Sequence, residues 1–237
     1  MLRQILKHAR LWSRLKEDYK PIPNTKPPVG CALTEEEQAR LFEVAQSRSD
    51  WMYAHAAATL AFFCGMRSCE MKGLRWQDVD FTTATIDITR SKTAAGHRKP
   101  SLNDVCRQAL ANLKAKAVLI NAANPGHHVF PSHLTVENGI KLRKIDPTRP
   151  MTSWRSAWRS IRKAAGLEGV RFHDGRHAAI TTLCEKGVPD WVIQAQVGHV
   201  DTEMMKTYSH IRRQALDLAG EALQPTFKQS TAVELVN

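Results

Sequence analysis

The sequence reads as a mainly α-helical domain with one small antiparallel β-hairpin, an α+β chain. Three observations carry this. Apolar residues recur at helical spacing in most segments between 2 and 222. Only TATIDITR, at 83–90, alternates apolar and polar residues with β-branched enrichment. An apolar share of 43% in 237 residues provides for a sizeable core.

The elements follow in order. Leu2, Ile5, Leu6, Ala9, Trp12 and Leu15 share one face of a helix over 2–15, with basic residues opposite. KPIPNTKPPVG then places four prolines in eleven residues, which prevents helix and stiffens a linker. In LTEEEQARLFEVAQS, Thr34 caps a helix and Glu37 reaches back to complete a capping box. DWMYAHAAATLAFFCG is apolar almost all round, so it is expected to be a buried central helix ending at Gly65. The strand TATIDITR turns through SKTAAGHRKPSL into a returning strand. A helix follows from Asp104 to about Ala122, then a loop, NPGHHVFPS, and a polar stretch. TSWRSAWRSIRKAAG sets Trp154, Trp158 and Ile161 at helical spacing, with bases on the other face and Gly166 as the stop. Further helices are expected at about 174–186, 189–197 and 201–222, the last one broken. The final segment, QPTFKQSTAVELVN, reads as a tail with a short apolar stretch.

A formal net charge of +11 favours a polyanionic partner, nucleic acid before an anionic membrane surface. No apolar run approaches the length of a membrane span, and MLRQILKHAR lacks the apolar core of a signal peptide. Five cysteines in irregular spacing, without a Cys-x-x-Cys pair, suit reduced thiols better than a disulfide framework or a zinc site. His127, His128 and His133 lie in a Pro/Gly loop without a nearby acidic or Cys partner, a poor metal set.

Chemistry-bearing residues collect in five places. In GMRSCE, Arg67 and Glu70 stand three apart and share a helical face; alone they read as an ion pair. In HDGRH, His173 and Arg176 open a helix whose N-terminal N–H groups favour an anion. His177 beside them reads as a structural or supporting residue. Lys92 in SKT, with Lys99 as the alternative, can carry an ammonium into a groove; alone it is a solvated loop lysine. VGH and TYSH complete the series with His199 and Tyr208, one of only three tyrosines.

The conjunction is specific where the parts are not. GMRSCE, SKT, HDGRH, VGH and TYSH, in that order on a basic helical scaffold, resemble the tyrosine recombinase (phage integrase) family from about Leu33 to Leu223. The resemblance implies that family's catalytic-domain fold over 31–223. Residues 1–20 would then be a remnant helix of a core-binding domain, 21–30 a Pro-rich linker and 224–237 a C-terminal tail. It also implies the site. Tyr208 would attack a scissile DNA phosphodiester to form a 3′-phosphotyrosyl linkage. Arg67 and Arg176 would hold the non-bridging oxygens, Lys92 would protonate the leaving 5′-oxygen, and His173 would assist the tyrosine. His199 would hydrogen-bond the phosphate, and Glu70 would orient Arg67. The family's chemistry needs neither metal nor ATP, so no cofactor is expected. Double-stranded DNA is the expected partner, bound by a homotetramer in a bacterial or phage context, in the cytoplasm at the nucleoid.

Three departures bear on this. Gly175 stands where the family commonly has Leu, which would loosen the helix by about 1 kcal/mol relative to alanine and remove an apolar contact. Val197 replaces the usual Leu. Only one helix precedes the prolines where relatives carry a whole helical domain. A truncated, non-cleaving DNA-binding relic of an integrase and a monomeric type IB topoisomerase are the alternative readings.

Overall fold

The structure is a computed structural model describing residues 2–17, 33–89, 97–133, 135–137, 140–142, 144–200, 220, 221 and 223. The proline linker, Lys92, Tyr208, nearly all of the expected 201–222 helix and the tail lie outside the described residues.

Two short helices, α1 (Leu2–His8) and α2 (Trp12–Leu15), stand where one was expected. Arg10 adopts φ +57, and the Arg10 and Leu11 N–H groups bond back to the Lys7 and Leu6 carbonyls. That pair of bonds is a Schellman stop, here with arginine in the left-handed position usually given to glycine. Ile5 and Leu15 of the expected apolar stripe are exposed.

Helix α3 (Glu35–Gln46) starts as its capping box requires: Glu37 N–H donates to Thr34 Oγ1 at 3.2 Å, and Thr34 N–H donates to Glu37 Oε2 at 3.0 Å. A 3-10 turn at Ser49–Trp51 leads into α4 (Met52–Cys64), which is buried on nearly every side. Alanines 54, 56, 57, 58 and 61 are all buried. Their small side chains let α3, α6 (Asp104–Leu119) and α8 (Asp174–Glu185) pack closely around this axis. Gly65 ends α4 at φ +69 and delivers the chain into α5 (Ser68–Gly73).

The β content exceeds the single hairpin expected. Strands β1 (Val79–Asp80) and β2 (Thr85–Ile86) pair antiparallel, and bridges Thr85–Ser101 and Ile88–Arg98 add the returning segment. The stretch read as loop and polar sequence holds β3 (Pro131–Ser132), β4 (Thr135–Glu137), β5 (Ile140–Leu142) and β6 (Asp146–Pro150), paired as β3–β6 and β4–β5. These strands run two to five residues, too short for a period-2 pattern to register.

Helix α6 begins on Asn103, whose side chain accepts from Cys106 N–H at 2.9 Å. It stops three residues before the expected end, because Asn121 turns left-handed at φ +54 and Ala122 N–H closes on Ala117 O. Helix α7 (Arg155–Ala164) buries Trp158 and Ile161 below the buried Trp154, and Gly166 follows it. Arg40 Nε donates to Ala165 O at 3.0 Å, tying α3 to the end of α7. Helix α9 (Asp190–Val197) joins α8 in a small second cluster of Ile180, Ile193, Val197 and Val200. The ends of α4 and α9 meet the start of α8 here, and that junction builds the site.

Candidate active site

Arg67 sits just before α5 in extended conformation (φ −80, ψ 148). Glu70, one turn on, binds it twice: Arg67 N–H donates to Oε2 at 2.8 Å and Nη1 donates to Oε1 at 3.0 Å. The backbone bond satisfies a free N–H at the helix start. A lone ion pair would leave the rest of this carboxylate unpaired. Instead Arg98, on the returning segment, grips both oxygens at 2.8 Å with a full fork. The Arg98 and Glu70 side chains are only 6% and 8% exposed, so the pair is desolvated. Burial opposes the charged form of Glu70, but the bonds from Arg98 and Arg67 prevail and hold the carboxyl below its ordinary range.

Arg176 enters from the first turn of α8 and is buried. Its Nη1 donates to Gly65 O at 2.6 Å and to Val197 O, and its Nη2 to His199 O at 3.2 Å. One guanidinium thus ties the ends of α4 and α9 together. Burial, then the nearby Arg67 and Arg98, bring its pKa down to about 10, which leaves it charged at neutral pH. Arg67 Nη2 also donates to His199 O, so the two forks converge on one acceptor.

Gly198 makes that convergence possible. It lies at φ +80, ψ −172, a conformation that side chains rarely adopt. A β-carbon there would sit 2.8 Å from Arg98 Nη1 and 3.0 Å from Arg67 Nη1. The glycine therefore both turns the chain and admits two guanidiniums beneath it.

His173 precedes α8. Its ring is solvent-accessible, yet partial desolvation and then the Arg176 charge push its pKa below the ordinary histidine value, with Asp174 opposing. His177 meets it edge-on, ring centroids 5.0 Å apart, and is itself held low by burial and by His173. Asp174 is 2% exposed and accepts from Arg171 N–H at 2.8 Å, fixing the turn that presents His173. The structure thus gathers Arg67, Glu70, His173, Arg176, His177 and the His199 backbone at one junction, with the His199 residue exposed. Lys92 and Tyr208 lie outside the described residues. Arg98 is the residue at this junction that the sequence does not announce: it lies among lysines on the returning segment, and no spacing links it to Glu70. His128 is buried and its backbone bridges Arg75, while His133 packs edge-on to Tyr53 at 4.9 Å.

Comparison with known proteins decides the family. Residues 32–215 match the Phage integrase family. The chain belongs to that family. Among phage integrase relatives, it is 28% identical over 197 residues to the integrase of Salmonella phage P22, covering 74% of this chain and 48% of that protein. It is 26% identical over 192 residues to a tyrosine recombinase of Thermosipho africanus, covering 81% of this chain and 61% of that one. The match is therefore to part of each relative's length. The fold is that of tyrosine recombinase catalytic domains. The XerA recombinase crystal structure superposes with a TM-score of 0.58 at 23% identity, over 94% of this chain and 75% of that one. The Tn1549 transposon integrase, in complex with transposon right end DNA, gives 0.61 at 17% identity, over 89% and 76%. No helix among the described residues of this family member is long and apolar enough to cross a membrane.

Proposed function

We propose that this chain carries the catalytic domain of a site-specific DNA recombinase or integrase that breaks and rejoins strands through a tyrosine. The carrying observation is the convergence of Arg67 and Arg176 on one acceptor, with Glu70 bracing the first and His173 opening the helix of the second. Two forks aimed at one point suit an anion with several oxygens, and a phosphodiester offers two non-bridging ones. The +11 charge and the DNA in the Tn1549 complex support double-stranded DNA as the substrate. Membership of the family supports Lys92 and Tyr208 as the two further participants.

Chemistry then follows from the assigned roles. Tyr208 Oη attacks phosphorus, the bond to the 5′-oxygen breaks, and a 3′-phosphotyrosyl linkage remains. A tyrosine with pKa near 10 needs a proton acceptor, and a neutral imidazole at His173 supplies one. Lys92 returns a proton to the leaving 5′-oxygen. The arginines meet the charge on the non-bridging oxygens as it redistributes, and the His199 ring adds a hydrogen bond. A 5′-hydroxyl from another duplex reverses the step. The covalent linkage conserves the phosphodiester, so no ATP is spent. Assembly as a homotetramer on DNA, at a bacterial or phage nucleoid, completes the reading.

The lowered His173 pKa sets a pH profile. The proton acceptor is the neutral form, so activity rises with pH as His173 loses its proton. The second-order rate constant for adduct formation, which reports the free enzyme, is expected to rise through an apparent pKa below the ordinary histidine value. In His173→Gln that inflection disappears. A wild-type midpoint at or above the ordinary value contradicts the assignment.

The experiment that tests the function uses a nicked DNA substrate whose cleaved strand diffuses away. Wild type is expected to give a denaturation-resistant protein–DNA adduct, and Tyr208→Phe none. Binding without an adduct from either protein would favour a non-cleaving relic.

A further inference from the structure

We propose that Arg98 is a positioning residue for the phosphodiester site, one that sets Arg67 and the Gly198–His199 turn without touching the substrate itself. The inference rests on the recombinase reading above and names the part that holds its two forks in register.

The geometry points to this in three ways. First, Arg98 spends Nη1 and Nη2 on the two oxygens of Glu70, at 2.8 Å each. Glu70 in turn holds Arg67 through its backbone and its guanidinium. Arg67 therefore sits against a carboxylate whose own plane is fixed by a second fork. Second, Arg98 Nε donates to Gln196 O at 3.2 Å, at the last turn of α9. The Gln196 side chain closes the loop, accepting from Ser101 N–H at 3.0 Å and donating to Ser101 O at 2.9 Å. The returning segment and the end of α9 are thus tied together by three hydrogen bonds across Gln196. Third, the Arg98 guanidinium lies directly under Gly198, in space that a β-carbon would enter at 2.8 Å. Gly198 immediately precedes the carbonyl on which Arg67 and Arg176 converge.

Charge supports the same role. Glu70 is bonded to Arg67 and Arg98, and its charge also acts on Arg176. Arg98 is almost wholly desolvated and its fork is spent on Glu70 and Gln196. Arg67 is 29% exposed along its side chain and keeps donors to offer. Arg98 neutralises Glu70, so Arg67 can face an anion with its charge undiminished. A lysine at 98 would keep the charge but could not span both oxygens.

The test compares two substrates on the full chain. One is the ordinary nicked DNA. The other carries a methylphosphonate at the scissile position, where a methyl replaces one non-bridging oxygen and removes the charge. Misplacing Arg67 should cost about 100-fold in the rate of adduct formation on the ordinary substrate. On the neutral one it should cost little, because no charge is left for the fork to meet. Arg98→Met and Arg98→Lys are both expected to show this selective loss, with DNA affinity unchanged. Arg98→Lys guards against a fold that Arg98→Met no longer supports. The double variant Arg98→Met/Glu70→Gln should fall no further than the worse single one. Equal loss on both substrates, or no loss, overturns the proposal. If wild type forms no adduct on either DNA, the recombinase reading falls, and nitrogen NMR of the DNA-free protein decides the positioning claim. Slow guanidinium rotation at Arg67 that becomes free in Arg98→Lys upholds it; unchanged rotation overturns it.

Discussion

Arg176→Met is expected to cost both stability and cleavage. Arg176 is 4% exposed and serves the carbonyls of Gly65, Val197 and His199. Removing the guanidinium leaves buried acceptors without a donor, a penalty of about 1–3 kcal/mol for each one that water cannot reach. In a chain of this size each kcal/mol lowers Tm by about 2–4 °C. Loss of one of the two forks should also slow adduct formation by about 100- to 1000-fold. Arg176→Lys separates the two effects. Its ammonium retains charge and one or two of the carbonyl bonds, so it should recover part of the Tm but little of the rate. Thermal melts alongside single-turnover cleavage check this. A Tm within a degree or so of wild type in Arg176→Met would contradict the tie between α4, α8 and α9.

Gly175→Leu is expected to destabilise this chain. A β-carbon at Gly175 would lie 2.4 Å from Phe62 Cδ2 and 2.6 Å from Cε2. Phe62 is buried and packs edge-on against Phe42 at 5.4 Å, so its ring has little freedom to yield. Overpacking of this kind costs about 1–3 kcal/mol, and Phe62→Ala alone, which opens a cavity, about 3–5 kcal/mol. The pair Phe62→Ala/Gly175→Leu should be more stable than the sum of the two losses allows, with a coupling of about 1–3 kcal/mol. Strict additivity in the melts would sink this account of the glycine.

Gly175 shows where the sequence was legible and where it was not. Read alone, it was a departure that loosens a helix. In the fold it makes room for a ring 113 positions earlier in the chain, and no local pattern announces such a pairing. Features set by near neighbours were legible: the Thr34–Glu37 box, the all-round burial of α4, the stop after α7, and the Arg67–Glu70 spacing. Features set by non-glycine left-handed residues were not, and so α1 breaks at Arg10 and α6 stops at Asn121. The short β3–β6 strands escaped because their pairing is fixed by partners rather than by alternation. At the site, the Arg67–Glu70 pairing and the helix start at His173–Arg176 were readable, because each lies within one short motif. Arg98 was not, because its role rests on contacts to Glu70 and Gln196, 28 and 98 positions away.

The central claim is that this chain joins itself to DNA through a tyrosine while holding the phosphate between two arginines. The direct measurement is to digest the trapped protein–DNA adduct, map the modified peptide by mass spectrometry and label the released strand end. The account predicts a phosphotyrosyl bond at Tyr208 to a 3′-phosphate, and a free 5′-hydroxyl that a polynucleotide kinase can phosphorylate. A linkage at another residue, or to a 5′-phosphate, would contradict it.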